Sequence, residues 1–94
     1  MADLVSLRVV VHGRVQGVYF RDFTSQHAAE LGLTGYVRNL HDWNTVEIQA
    51  EGERSNLEKL IDYLKAGPTA AKVERVVTDW SEYTGTYSGF NIRH

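Results

Sequence analysis

The chain is organised around the stretch Gly13-Arg14-Val15-Gln16-Gly17-Val18-Tyr19-Phe20-Arg21. The residues before it, Val5 to Val11, favour a β-strand, and those from Phe20 to Leu31 favour an amphipathic helix. Two glycines between a strand and a helix predict a loop whose backbone N–H groups converge, which makes an anion site at a helix N-terminus. Arg21 adds a planar, permanently charged group suited to phosphate. Taken alone, the stretch is explained equally well as a tight structural turn with an exposed arginine.

The remaining elements follow from hydrophobic periodicity and turn residues. Gly32 is expected to end the first helix as its left-handed C-terminal residue, and Ser55-Asn56-Leu57-Glu58 has the spacing of a capping box that begins the second. Gly67-Pro68 is expected to end that second helix. The predicted elements are strand Leu4–His12, helix Phe20–Leu31, strand Thr34–Leu40, hairpin His41–Asn44, strand Thr45–Glu51, a helix with apolar Leu57, Leu60, Ile61 and Leu64, strand Lys72–Tyr83, turn Thr84–Thr86 and strand Tyr87–Arg93.

This order predicts an α/β sandwich of the α+β class, the ferredoxin-like β-α-β-β-α-β arrangement with a short C-terminal fifth strand. Right-handed crossings place both helices on one face of an antiparallel sheet. Many unrelated proteins share this arrangement, so the fold by itself does not predict a function.

Length and composition restrict the possible classes of protein. A chain of 94 residues is expected to form one domain, residues 1–94. The formal net charge of −2 argues against a general nucleic-acid partner, and the absence of cysteine excludes cysteine-ligated metal. There is no secretory signal pattern and no apolar stretch of membrane-spanning length, so we expect no membrane partner and a cytoplasmic protein. No exposed apolar face is evident in the pattern, and we expect a monomer.

A second stretch, Gly35-Tyr36-Val37-Arg38-Asn39, ends a predicted strand with an asparagine. A neutral amide can both donate and accept a hydrogen bond, so Asn39 could hold a water molecule. From the residues alone, a strand-end asparagine that caps the hairpin is the simpler interpretation.

Together the two stretches resemble the acylphosphatase family. The resemblance continues through Val46-Glu47, Ala50-Glu51-Gly52, Gly67-Pro68 and Gly89-Phe90-Asn91-Ile92-Arg93, in the right order along nearly the whole chain. It implies an acyl phosphate phosphohydrolase, which cleaves the carboxyl–phosphate bond to a carboxylate and inorganic phosphate with no metal and no cofactor. It also implies that Arg21 and Asn39 are catalytic. The backbone amides implied to bind phosphate belong to Arg14, Val15, Gln16, Gly17, Val18, Tyr19, Phe20 and Arg21.

The hairpin after Asn39 departs from the family pattern, which is usually Asn-x-x-Asp-Gly-x-Val. Here Leu40-His41-Asp42-Trp43-Asn44-Thr45 lies between Asn39 and Val46, one residue longer and without the glycine. The conformation of this turn is therefore open, and we expect Trp43 to be exposed or partly packed rather than to contact substrate.

Other polar residues have structural interpretations. His27 lies on the apolar side of its helix and is expected to be packed, and His12 is expected to point outward from its strand. Arg14 and Arg38 are expected to be solvated, although either could attract an anionic substrate. The carboxylates Glu47, Glu51 and Glu53 are expected to be solvated charges.

Two other functions stay open. An RNA-binding module has the same order of strands and helices, and Tyr36 could stack on a base, but the chain lacks a basic surface. A non-catalytic anion- or partner-binding domain would keep the loop and lose turnover.

Overall fold

Five strands and two helices make up the computed structural model, which describes residues 2–94; Met1, the first residue of the predicted domain, lies outside this range. Every predicted strand and helix is present, and the ends that differ from the prediction do so by at most three residues. The elements are β1 Leu4–Arg14, α1 Phe20–Glu30, β2 Thr34–Asn39, β3 Thr45–Glu53, α2 Arg54–Ala66, β4 Lys72–Glu82 and β5 Phe90–Arg93.

The strands form one sheet in the order β4-β1-β3-β2-β5. The expectation of a wholly antiparallel sheet is wrong at one edge, because β5 pairs with β2 in parallel, with Val37 opposite Ile92. The chain reverses after β4 and returns at the other edge of the sheet. β2 runs opposite to β4, so a strand that reverses after β4 and lies beside β2 must be parallel to it.

Apolar residues on one face of the sheet pack against both helices and form the core. Strand residues such as Val9 and Ile48 alternate inward, as the period of a strand requires. The helices contribute buried residues at helical spacing: Phe20, Thr24 and Ala28 from α1, and Leu57, Leu60 and Leu64 from α2. This core holds the start of α1 against the sheet and so fixes the loop that precedes it.

The two helix ends predicted from glycine are correct. Gly32 has φ 69°, and the N–H groups of Gly32 and Leu33 donate to the carbonyls of Ala29 and Ala28 at 3.0 and 2.9 Å, which is the hydrogen-bond pattern of a Schellman motif. The second helix ends at Ala66, directly before Gly67.

The predicted capping box is wrong. Helix α2 begins at Arg54, and its N-cap residue Glu53 makes no side-chain capping bond. Arg54 is held instead by Asp3, which accepts from its backbone N–H and from its Nε, each at 2.9 Å. A contact with the start of the chain therefore replaces the local capping signal. No helix within residues 2–94 has the length and apolar character that crossing a membrane requires.

Candidate active site

The loop between β1 and α1 turns sharply at Gly17 and Tyr19, whose φ angles are 73° and 62°. Within the described residues, the backbone N–H groups from Gln16 to Asp22 have no hydrogen-bond partner in the protein. Helix α1 also has no side-chain cap, so the positive end of its dipole is not offset by a capping group. This row of free donors at a helix N-terminus is suited to an anion.

A cavity of about 450 Å³ opens beside this loop. It is lined by residues from the loop, from the first turn of α1, from the end of β2 and from the C-terminal segment. These residues are Val15, Gly17, Tyr19, Phe20, Arg21, Asp22, Asn39, Ile92 and His94. The two stretches that the sequence singled out, residues 13–21 and 35–39, therefore meet at one place.

Arg21, in the first turn of α1, is anchored by the end of the chain. Its Nη1 lies 3.1 Å from Nδ1 of His94 and donates to the Arg93 carbonyl oxygen at 3.4 Å. A guanidinium has five N–H donors in a fixed plane, so both contacts leave donors free for an anion. The C-terminal strand thus orients the charge at the mouth of the cavity.

Asn39 is the last residue of β2 and lies opposite Val46 of β3. Asn39 lines the cavity, and within residues 2–94 its side chain makes no hydrogen bond to protein. The amide is consequently available to donate and to accept toward a molecule in the cavity. If Asn39 capped the hairpin, which is the simpler interpretation of the sequence, its side-chain amide would form a hydrogen bond to the backbone of residues 40–44.

Gln16 joins the loop to the hairpin that follows Asn39. Its Nε2 lies 2.8 Å from the Thr45 carbonyl oxygen and 3.1 Å from the carbonyl oxygens of Leu40 and Asp42. The hairpin is closed further by the Thr45 N–H, which donates to the Asp42 carbonyl at 3.3 Å. The side chain of Gln16 therefore holds the hairpin in place. The family pattern did not predict the conformation of this turn, which is one residue longer and has no glycine.

The predicted phosphate-binding residues do not all line the cavity. Val15, Gly17, Tyr19, Phe20 and Arg21 line the cavity, while Arg14 is exposed at the end of β1 and Val18 is buried in the core. The Val15 N–H already donates to the Gly13 carbonyl at 3.0 Å, so this amide is committed within the loop.

Three residues at the cavity were not predicted as site residues, namely Asp22, Ile92 and His94. Asp22 directly follows the loop motif, and its position beside Arg21 was a usable signal. His94 lies 73 residues from Arg21 and carries no local signal of their contact.

The expectation that Glu47 and Glu51 are solvated is wrong, because they are 4% and 1% exposed. Glu47 accepts from Nε of Arg8 at 2.7 Å and from Nε of Arg38 at 2.6 Å. Burial by itself would raise the pKa of Glu47, but the hydrogen bonds from Arg38 and Arg8 outweigh it and the pKa is lowered. Arg38 is therefore committed to Glu47 and does not line the cavity.

Glu51 holds the connection between β4 and β5. Its carboxylate accepts from the backbone N–H and hydroxyl of Thr84 at 3.0 and 2.8 Å and from the Gly85 N–H at 3.0 Å. Burial would raise the pKa of Glu51, and the bonds from Thr84 and Gly85 lower it below the usual value. Glu53 is exposed, as expected.

The remaining expectations about single side chains are correct. His27 is packed, stacking on the Tyr63 ring at 3.8 Å between centroids. His12 points away from the cavity, with its Nε2 3.2 Å from Nη2 of Arg75. Trp43 is 84% exposed and does not line the cavity.

The sequence profile described as Acylphosphatase matches residues 7–92. The chain belongs to the acylphosphatase family. The acylphosphatase of Dehalococcoides mccartyi strain CBDB1 is 49% identical over 88 residues, 94% of this chain and 97% of that protein. The acylphosphatase of Pelotomaculum thermopropionicum is 51% identical over 84 residues, 89% of this chain and 90% of that protein.

Solved acylphosphatases have the same fold. The crystal structure of acylphosphatase from Bacillus subtilis matches with a TM-score of 0.91 and 34% identity, covering 96% of this chain and 99% of that chain. The predictions of the family, of its ferredoxin-like fold and of an enzyme that acts on acyl phosphates are therefore confirmed at the level of the family.

Proposed function

We propose that this protein hydrolyses acyl phosphates, with the phosphate held by the loop and Arg21 and the attacking water oriented by Asn39. The observation that carries the proposal is that one cavity is lined by residues with free backbone N–H groups, by the arginine Arg21 and by Asn39, whose side-chain amide is uncommitted. Arg14 and Val15 were predicted to contribute amides. Because the Val15 N–H is bonded to Gly13, the proposal now rests on the amides from Gln16 to Arg21.

The charge of the reacting phosphate explains this set of groups. In a loose transition state, charge spreads over three equatorial oxygens of the phosphoryl group. Fixed amide dipoles at the start of α1 and the guanidinium of Arg21 meet that charge without rearranging during the reaction. The leaving group is a carboxylate, a weak base, so it departs without a proton donor.

The water must attack in line with the bond that breaks. Asn39 reaches the cavity from β2, whereas the phosphate donors come from the loop and α1. An amide that can donate and accept is suited to fix the orientation of one water, which is an effect of positioning. We propose that the phosphate oxygens of the substrate take the proton of the water.

A single assay tests the proposal. Phosphate release from benzoyl phosphate is measured for the wild-type protein with a chelator present, so that activity from a contaminating metal is excluded. We expect turnover, and we expect Arg21→Gln to lower kcat/KM by at least about 100-fold. The same variant should weaken inhibition by inorganic phosphate by at least about tenfold, because a charge-assisted bond to phosphate is lost.

The matched control is Arg75→Gln. Arg75 is an exposed arginine on β4 that contacts His12 and does not line the cavity. Its removal makes the same change in net charge and should leave kcat/KM within about twofold, since exposed surface charges have small effects. Wild-type protein that binds phosphate but releases none from benzoyl phosphate would favour the non-catalytic alternative. A monomeric state, a cytoplasmic location and the absence of a nucleic-acid partner stay predictions.

A further inference from the structure

Two properties of Tyr19 do not contribute to the stability of the fold. Its backbone is left-handed, with φ 62° and ψ 26°, and within residues 2–94 it is the one non-glycine residue with a positive φ. Its side chain is 79% exposed and makes no hydrogen bond to the described residues. A glycine would adopt this conformation without strain, and an exposed ring contributes little burial. Strained residues of this kind concentrate at functional sites.

The position of Tyr19 indicates what the ring could contact. It lies between the free amides of the loop and Arg21, and it lines the same cavity as Arg21 and Asn39. Phe20, which also lines the cavity, is 1% exposed and belongs to the core. Among the described residues at the cavity, Tyr19 is therefore the phenyl-type ring that a molecule in the cavity can reach.

The acyl end of the substrate is the part that the amides and Arg21 do not bind. It must extend from the phosphate toward the rim, where Tyr19 offers a flat apolar face. Asp22 also lines the cavity, and its negative charge there would disfavour an acyl group that is itself negatively charged. An uncharged acyl group with a flat apolar body fits both residues.

We propose that Tyr19 is a specificity-determining residue that contacts the acyl group and favours aromatic or similarly flat apolar acyl phosphates over short ones. The inference rests on the proposed hydrolysis of acyl phosphates. The inference goes beyond that proposed hydrolysis, because it names the substrate class and the residue that selects that class. Inorganic phosphate lacks an acyl group, so its binding should not depend on the ring.

The test compares benzoyl phosphate with acetyl phosphate as substrates of the wild-type protein, Tyr19→Asn and Tyr19→Phe. Asparagine tolerates the left-handed conformation and removes the ring, while phenylalanine keeps the ring. We expect Tyr19→Asn to lower the ratio of kcat/KM for benzoyl phosphate to that for acetyl phosphate by about five- to tenfold, the size of one aromatic contact. Tyr19→Phe should keep the ratio within about twofold, and the inhibition constant of inorganic phosphate should stay within about twofold in both variants.

Trp43→Asn is the control, because Trp43 is equally exposed on the neighbouring hairpin but does not line the cavity. It should leave the substrate ratio unchanged. The inference is overturned if Tyr19→Asn leaves the ratio unchanged, or if it weakens both substrates and inorganic phosphate alike, since Tyr19 would then shape the loop only. A wild-type protein that hydrolyses neither substrate contradicts the proposed function itself, and this inference with it.

Discussion

Arg21 and Asn39 reach the cavity from different elements, and we expect them to have separable effects. Replacing Asn39 with alanine removes the group that orients water and leaves the phosphate donors in place. Asn39→Ala should therefore lower kcat by about 100-fold, the size expected when a reactant is mispositioned. The inhibition constant of inorganic phosphate should change by less than about threefold. Steady-state kinetics on benzoyl phosphate, with phosphate as a competitive inhibitor, measures both.

Asn91→Ala is the control for that measurement, because Asn91 is an exposed asparagine on β5 that does not line the cavity. It should leave kcat and phosphate inhibition unchanged. Equal losses of turnover and phosphate binding in Asn39→Ala would mean that Asn39 contacts the phosphate or supports the fold, rather than the water.

Glu51 holds a segment that is distant in sequence, the connection between β4 and β5, through hydrogen bonds. Glu51→Gln replaces a buried acceptor of three hydrogen bonds with an amide, whose NH2 group would face donors. Bonds to a charged group contribute about 1.5–3 kcal/mol, so we expect the free energy of unfolding to fall by about 2 kcal/mol. Urea denaturation measures the change.

Glu82→Gln removes an exposed carboxylate at the end of β4 and provides the comparison. Its effect should lie within about 0.5 kcal/mol, as for most surface substitutions. If the two variants unfold at the same urea concentration, Glu51 does not anchor the connection to β5 in solution.

Between elements, the side chain of Gln16 links the phosphate loop directly to the hairpin that follows Asn39. Gln16→Met keeps a similar volume and removes all three contacts to the hairpin carbonyls. We expect kcat to fall by about tenfold while phosphate inhibition changes by less than about twofold, because the loss acts through the position of Asn39. In the Asn39→Ala background the same change should lower kcat by less than about twofold. This smaller effect is how coupling between Gln16 and Asn39 would show itself in a double-mutant cycle.

The matched control is Gln49→Met. Gln49 is a partly buried glutamine whose Nε2 donates to Oγ of Ser6 at 2.7 Å, away from the cavity. Gln49→Met likewise removes a side-chain hydrogen bond from a glutamine, and it should leave kcat unchanged. Additive losses in the double variant would show that Gln16 does not act through Asn39.

For the molecule as a whole, the two buried carboxylates predict how stability changes with pH. The pKa values of Glu47 and Glu51 are lowered in the folded state, so the folded protein binds these protons less readily than the unfolded chain. Their stabilisation is complete above the unfolded glutamate pKa of about 4.3 and is lost as the pH falls through the lower folded values. We expect the free energy of unfolding to decrease below about pH 4.5.

Glu47→Gln isolates one of these groups. The variant should be less stable than the wild-type protein at pH 7, and its stability should fall less steeply on acidification, because one titrating carboxylate is gone. Urea unfolding at several values between about pH 3 and pH 7 compares the slopes. Parallel slopes in the two proteins would contradict the lowered pKa of Glu47.

The architecture was predictable because its signals are local. The alternation in β1, the amphipathic pattern from Phe20 to Leu31, and the glycine that ends α1 each act within a few residues. Arg21 and Asn39 were predicted through the resemblance to the acylphosphatase family, because each ends one of the contiguous motifs that carry it. The side chain of Gln16 was missed for the opposite reason, since its partners lie 24 to 29 residues away and nothing in the loop indicates them.

The sequence by itself therefore determined the order of strands and helices and the loop at the start of α1, and its resemblance to the acylphosphatase family pointed to the two residues proposed for catalysis. Only the tertiary structure decided that Glu47 and Glu51 are buried, that β5 lies parallel beside β2, and that the end of the chain anchors Arg21. The physical reason is that periodicity and turn chemistry depend on near neighbours. Burying a carboxylate or pairing an edge strand depends instead on groups that fold in from elsewhere, here 33 residues away for Glu51 and Thr84.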